Sequence, residues 1–235
     1  MNTRPNVPKA TVLGKYQESS LEREEHRKMM FSKETWENRF EEVAALIPWA
    51  GVARWLDVGC GTARFFEKVV GADYAVDLET CVGVDAIANN IQIGLDKTWP
   101  SRPHVSLRRW DIEDLDDLDG DLFDLVTMIG VVYQCGLPPF LAVEKCLGRL
   151  AARGRLLVTT ENPRFKGFLA DPHGCYPEKD EFERMFRQRG RTPAGLTVQY
   201  TNPLWRHRVT DIGDTDSADF KETFFLASYG TPSRS

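Results

Sequence analysis

Apolar residues in this chain follow two rhythms. Between residues 20 and 47 they recur at helical spacing: Trp36, Phe40, Val43 and Leu46 are separated by steps of four and three, and Ser32 stands where an N-cap belongs. From residue 54 onward they gather into short continuous runs, rich in branched side chains and with little polar alternation. Such runs predict strands at 54–58, 81–85, 105–110, 125–129, 156–160, 196–200 and 223–228, with helical segments between strands. Strands that are apolar throughout suit a sheet covered on both faces. The pattern predicts an α/β fold with a doubly wound, mostly parallel seven-stranded sheet in residues 51–235, preceded by an arm with helices in residues 1–50.

Composition narrows the class. The 235 residues suffice for one α/β domain with a full core, and 42% hydrophobic with 28% charged residues is ordinary for a globular protein. No apolar run approaches the roughly 20 residues that span a bilayer, and MNTRPNVPKATVLGKYQ lacks the apolar stretch of a secretory leader. The five cysteines, Cys60, Cys81, Cys135, Cys146 and Cys175, are scattered without a C-x-x-C pair, which suggests neither a disulfide framework nor a metal site. A reducing cytoplasm is therefore expected, with no membrane partner. The net charge of -5 argues against general affinity for polyanions, but its distribution is uneven. Residues 111–124 hold eight acids, whereas 184–208 hold six arginines and no acid.

The stretch RWLDVGCGTARFFEKVV, residues 54–70, carries the most chemistry. A strand through Trp55, Leu56, Asp57 and Val58 leads into the turn Gly59-Cys60-Gly61, and a helix follows with Phe65, Phe66, Val69 and Val70 on its apolar face. Glycine in such a turn reaches backbone angles closed to other residues and lacks the Cβ that would hold a ligand away. Amides at the helix start are expected to face the crevice at the strand's carboxyl end. A dinucleotide fingerprint asks for a third glycine, and Arg64 stands in its place. Asp57 would sit poorly beside a pyrophosphate and well beside an ammonium group. The expected ligand has an amino group and no phosphates.

With these residues in view, LDVGCGTARF resembles the first motif of the class I S-adenosylmethionine-dependent methyltransferases, a family with a Rossmann-like fold. The similarity spans roughly residues 50–230, because further segments arrive in that family's order. The resemblance implies S-adenosyl-L-methionine as cofactor, with Asp57, Gly59, Cys60 and Gly61 along its amino-acid tail. VGVDAIANNIQIGLDK resembles the second strand, whose final acid, Asp85 beside Ala86, would accept both ribose hydroxyls. Asp77 in YAVDLE is its rival; Asp85 is preferred because VGVD reads as a buried strand entering a helix. RRWDIEDL implies that Asp111 accepts from the adenine amino group and that the Ile112 amide donates to the ring. FDLVTMIGVVYQC resembles the fourth strand and its substrate-facing loop, with Ile129 against the donor; GRLAARGRLLVTTENP resembles the helix, glycine turn and fifth strand. Ala63 stands where the family usually has glycine.

Methyl transfer from a sulfonium needs alignment and exclusion of water more than it needs chemistry from the protein. Tyr133 and Gln134 occupy the place from which the family touches both donor and acceptor, and Glu161 shares the carboxyl edge of the sheet. His173, in DPHGCYPEKD, is a candidate base near neutral pH. The first helices fall where the family places a lid, and the ring of Tyr16 is a candidate to close over the sulfonium. Three functions stay open. The first is methyl transfer to a small-molecule acceptor of specialised metabolism. The second is alkylation of RNA, since GVVYQCGLPP is similar to a loop in bacterial enzymes that modify the wobble uridine of transfer RNA. The third is attack on the aminobutyrate arm, by transfer or ring closure, with release of methylthioadenosine. Oligomeric state is not legible in the sequence.

Overall fold

The computed structural model describes residues 40–41, 43–45, 47–72, 74, 77–120, 122–132 and 135–160, together with the backbone of 196–201 and 223–229. Its centre is a sheet whose first five strands run parallel: β1 (Arg54–Val58), β2 (Thr80–Asp85), β3 (His104–Arg109), β4 (Phe123–Ile129) and β5 (Leu150–Thr160). Two later strands, β6 (Leu196–Thr201) and β7 (Thr223–Tyr229), continue it antiparallel, and the spatial order is β3-β2-β1-β4-β5-β7-β6. Strand order reverses between β1 and β4, which is where a doubly wound sheet opens a crevice at its carboxyl edge.

Among the described residues, three helices connect the parallel strands: α1 (Arg64–Val70), α2 (Ala88–Leu95) and α3 (Pro139–Leu147), with a 3-10 turn over Ile112–Asp117. Alternation along each strand divides the core into two layers. Leu56, Val58, Val82, Val84, Val126, Met128, Leu156 and Val158 face α3 and the 3-10 turn. Trp55, Cys81, Leu125 and Leu157 face α1, α2 and the residues just before β1, among them Val43, Ala44 and Trp49. The doubly wound α/β expectation therefore holds for the five parallel strands. The expected lid helices fall largely on residues 1–39, outside the described residues.

Six strands keep their expected bounds to within two residues, and the fifth departs further. Expected to begin at 156, β5 begins at Leu150. Phe123 pairs with Leu150 and Leu125 with Arg155, so the register slips across residues 151–154. Leu150 is buried, and the Phe123 amide donates to the Arg149 carbonyl at 2.9 Å, which draws the chain into the sheet ahead of Gly154.

Candidate active site at the carboxyl edge of the sheet

Three acids stand at the carboxyl ends of adjacent strands: Asp57 in β1, Asp85 closing β2, and Asp111 just after β3. Asp57 is buried and faces the aromatic layer, two residues on from Trp55. Its register partner across the switch point is Thr127 of β4, whose hydroxyl donates to Asp57 Oδ1 at 2.6 Å. Burial pushes the Asp57 carboxyl up to about 7, the Thr127 hydrogen bond lowers it, and the Asp85 charge raises it. A carboxyl so placed gains from any cation brought into the crevice.

Asp85 is half-buried and organises the turn below it. Its Oδ2 accepts from the Gly61 amide at 2.9 Å, while Oδ1 accepts from the Ile87 amide at 2.8 Å and from Asn90 Nδ2 at 3.2 Å. The Asp85 carbonyl takes the Trp110 amide at 3.0 Å, which ties the end of β3 to the end of β2. Asp111 then caps the 3-10 turn, its Oδ1 accepting from the Glu113 amide at 3.0 Å, and Ile112 is buried beneath. Asp77, the rival of Asp85, lies at the opposite, amino edge, where its Oδ2 accepts from the Gly51 amide at 3.1 Å.

The three amides of the glycine turn are taken within the fold. Gly59 and Cys60 both donate to the Val84 carbonyl, at 2.7 and 3.0 Å, and Gly61 donates to Asp85. Both glycines have left-handed backbones, with φ of +73° at Gly59, and Gly59 has a further reason to be glycine. A Cβ on Gly59 would lie 2.3 Å from Val131 Cγ2, so this residue makes room for the loop after β4. A Cβ on Gly61 would meet nothing within 4 Å, and its φ of +55° lies in the left-handed region. Gly61 is the glycine that opens onto the crevice. Cys60 is buried, its thiol pushed well up by burial and then by Asp57 and Asp85, as a packing residue's would be.

Ala86 and Ile129 are half-buried at the ends of β2 and β4. The residues expected to act on the acceptor (Tyr133, Gln134, Glu161, His173) and the lid residue Tyr16 lie outside the described residues. Sequence reasoning missed Trp55 as a hydrogen-bond donor, and it missed Thr127 and Thr159. Thr159, buried in β5, accepts the Gly130 amide at 2.8 Å and so anchors the start of the loop that carries Val131. The available signal was a threonine inside an otherwise apolar strand, in LVTMI and in LLVTT, since a buried hydroxyl calls for a partner.

The sequence matches the methyltransferase domain family over residues 35–193, and the chain belongs to that family. It is an S-adenosylmethionine-dependent transferase. The fold is also that of several solved structures. Magnesium protoporphyrin IX methyltransferase from Synechocystis PCC 6803, with bound S-adenosylmethionine, is 12% identical, with a TM-score of 0.65 over 98% of this chain and 100% of that one. The N-methyltransferase NodS from Bradyrhizobium japonicum WM9, with S-adenosylhomocysteine, is 17% identical, with a TM-score of 0.60 over 84% and 88%. The [4+2]-cyclase SpnF is 16% identical, with a TM-score of 0.62 over 83% and 82%. No curated protein sequence matches the chain. No helix among the described residues is long and apolar enough to cross a membrane.

Proposed function

We propose that the chain transfers the methyl group of S-adenosylmethionine to a small-molecule acceptor. The observation that carries this reading is the state of the glycine turn: the amides of Gly59, Cys60 and Gly61 are taken by Val84 and Asp85, and a buried acid, Asp57, stands two residues ahead of Gly59. A phosphate needs donors at such a turn. An amino-acid tail with its ammonium needs acceptors, and Asp57 supplies one. The open space at Gly61 gives that tail room.

In this reading Asp57 draws in the ammonium, Asp85 accepts from the ribose hydroxyls, and Asp111 with the Ile112 amide reads the adenine edge, while Ala86 and Ile129 shape the walls. Bound there, the sulfonium supplies an activated methyl group whose transfer needs only an aligned nucleophile. Tyr133 and Gln134, which follow the loop packed on Gly59, orient the acceptor; Glu161 and His173 are the candidate bases, and Tyr16 covers the donor.

Charge supports a small acceptor over RNA. The 3-10 turn beside the site exposes Glu113, Asp114, Asp116 and Asp117, a negative rim that repels a phosphate backbone. The arginine-rich run that favours RNA, residues 184–208, is described only over the backbone of 196–201. The test has two stages. Calorimetry and thermal melts should show binding and protection by S-adenosylmethionine and none by NADH or ATP. Incubation with the donor and a cell extract, read by mass spectrometry, should then yield S-adenosylhomocysteine. Methylthioadenosine would shift the reaction to the aminobutyrate arm, and salt-dependent binding of transfer RNA would shift the acceptor to RNA.

A further inference from the structure

We propose that Trp55 and Thr127 form a one-way hydrogen-bond relay that fixes which oxygen of Asp57 meets the donor's ammonium, making Thr127 a positioning residue. The proposal rests on the reading of Asp57 as part of the donor site. Trp55 Nε1 lies 2.8 Å from Thr127 Oγ1, which lies 2.6 Å from Asp57 Oδ1. An indole N–H can only donate. The threonine oxygen therefore accepts from Trp55, and its single proton is directed to Asp57 Oδ1. Oδ1 is held as an acceptor, and both the ligand's ammonium and any proton taken up by Asp57 are left to Oδ2.

The relay has a rigid base. Trp55 is fully buried, with ring centroids 4.4 Å from Phe66 and 5.2 Å from both Phe65 and Trp49, in edge-on contacts. Its indole cannot turn without disturbing α1 and the residues before β1. Asp57 is thus oriented by the core of the protein and not by the mobile water of a crevice. Around it stand Asp85, whose charge raises its pKa, and the thiols of Cys60, Cys81 and Cys146, each pushed up by burial first and so neutral near pH 7.

The test compares wild type, Thr127→Val and Thr127→Ser by calorimetric titration with S-adenosylhomocysteine between pH 6 and 8.5, with melts of the unliganded proteins as a folding control. Loss of the hydroxyl should weaken binding at pH 7 about tenfold, by the scale of a hydrogen bond to a charged group. It should also move the midpoint of the pH dependence upward, because the bond that favours the carboxylate is gone. Serine should restore both. Wild-type affinity and pH profile in Thr127→Val, or failure of serine to rescue, would overturn the relay. Absence of binding by the wild type would instead overturn the donor reading. Should Thr127→Val not fold, the wild type itself decides: the Trp55 indole N–H resonance should shift with pH as Asp57 titrates near 7, and an invariant resonance refutes the coupling.

Discussion

Carboxylates at the two ends of β1 are used in different ways. At the amino edge, Asp124 Oδ2 accepts from the amides of Ala53 and Arg54, at 3.0 and 2.9 Å, and Asp77 accepts from Gly51. These acids close the approach to β1 with neutral dipoles, and their task is complete within the fold. At the carboxyl edge, Asp57 has one hydroxyl for a partner, a second acid for a neighbour and, among the described residues, no cation. The first arrangement is what stability asks for; the second is a penalty that a cationic ligand removes. An acid that the fold leaves electrostatically unsatisfied marks the working end.

The largest expected effect follows from that penalty. Asp57 titrates near 7 in the folded chain against 3.8 ordinarily, so the folded state holds the proton more tightly than the unfolded state. Its contribution to stability is fully present below about pH 4 and is lost as pH rises through 7, amounting to a few kcal/mol, at most about 4, at pH 8. Asp57→Asn should therefore be more stable than wild type at pH 8 by a few kcal/mol, with the gap closing toward pH 4, and should bind S-adenosylhomocysteine poorly. Denaturant unfolding across this range reads it. A variant less stable than wild type at pH 8 would break the contrast between the two edges.

A second pair of variants sharpens it. Asp85→Ala should weaken donor binding by roughly 2–4 kcal/mol, the scale of a charge-assisted pair of hydrogen bonds. Its stability should fall as well, because the Gly61 and Ile87 amides and Asn90 lose their acceptor. Asp77→Ala should cost about 1 kcal/mol of stability or less, for one exposed hydrogen bond to Gly51, and leave donor affinity unchanged. The reverse pattern in calorimetry would mean that the ribose end of the site lies elsewhere.

How much of this was legible in the sequence depends on the range of the physics involved. The strands were readable because burial on both faces forces apolar residues at every position, and β1, β2 and β4 fall where LDV, VGVD and LVTMI suggest. Asp57, Asp85 and Asp111 were readable by position, each at or near a strand's carboxyl end. What the turn does with its amides was not, because the acceptors, Val84 and Asp85, come from the next strand and only the parallel register brings them there. The same holds for Thr127, which is 70 residues from Asp57 in sequence and directly beside it in the sheet. The early start of β5 escaped for a local reason, since AARG reads as a turn while Leu150 and Arg149 are already held by Phe123.

The smallest effect tests how tightly the working edge is built. Ala63 caps the start of α1 with φ 58° and ψ 32°, a left-handed conformation at a position where the family usually has glycine. For an L-residue that geometry costs roughly 1–2 kcal/mol. Against this, the buried methyl contributes about 0.8 kcal/mol, and glycine would add about 0.5–1 kcal/mol of chain entropy to the unfolded state. The terms nearly cancel, so Ala63→Gly should be neutral to within about 0.5 kcal/mol, a melting shift of about 1–2 °C, with donor affinity unchanged. At the start of an ordinary helix the same replacement gives no such relief. A loss of more than about 4 °C would show that the methyl's packing in the aromatic layer, and not its backbone strain, decides the residue at 63.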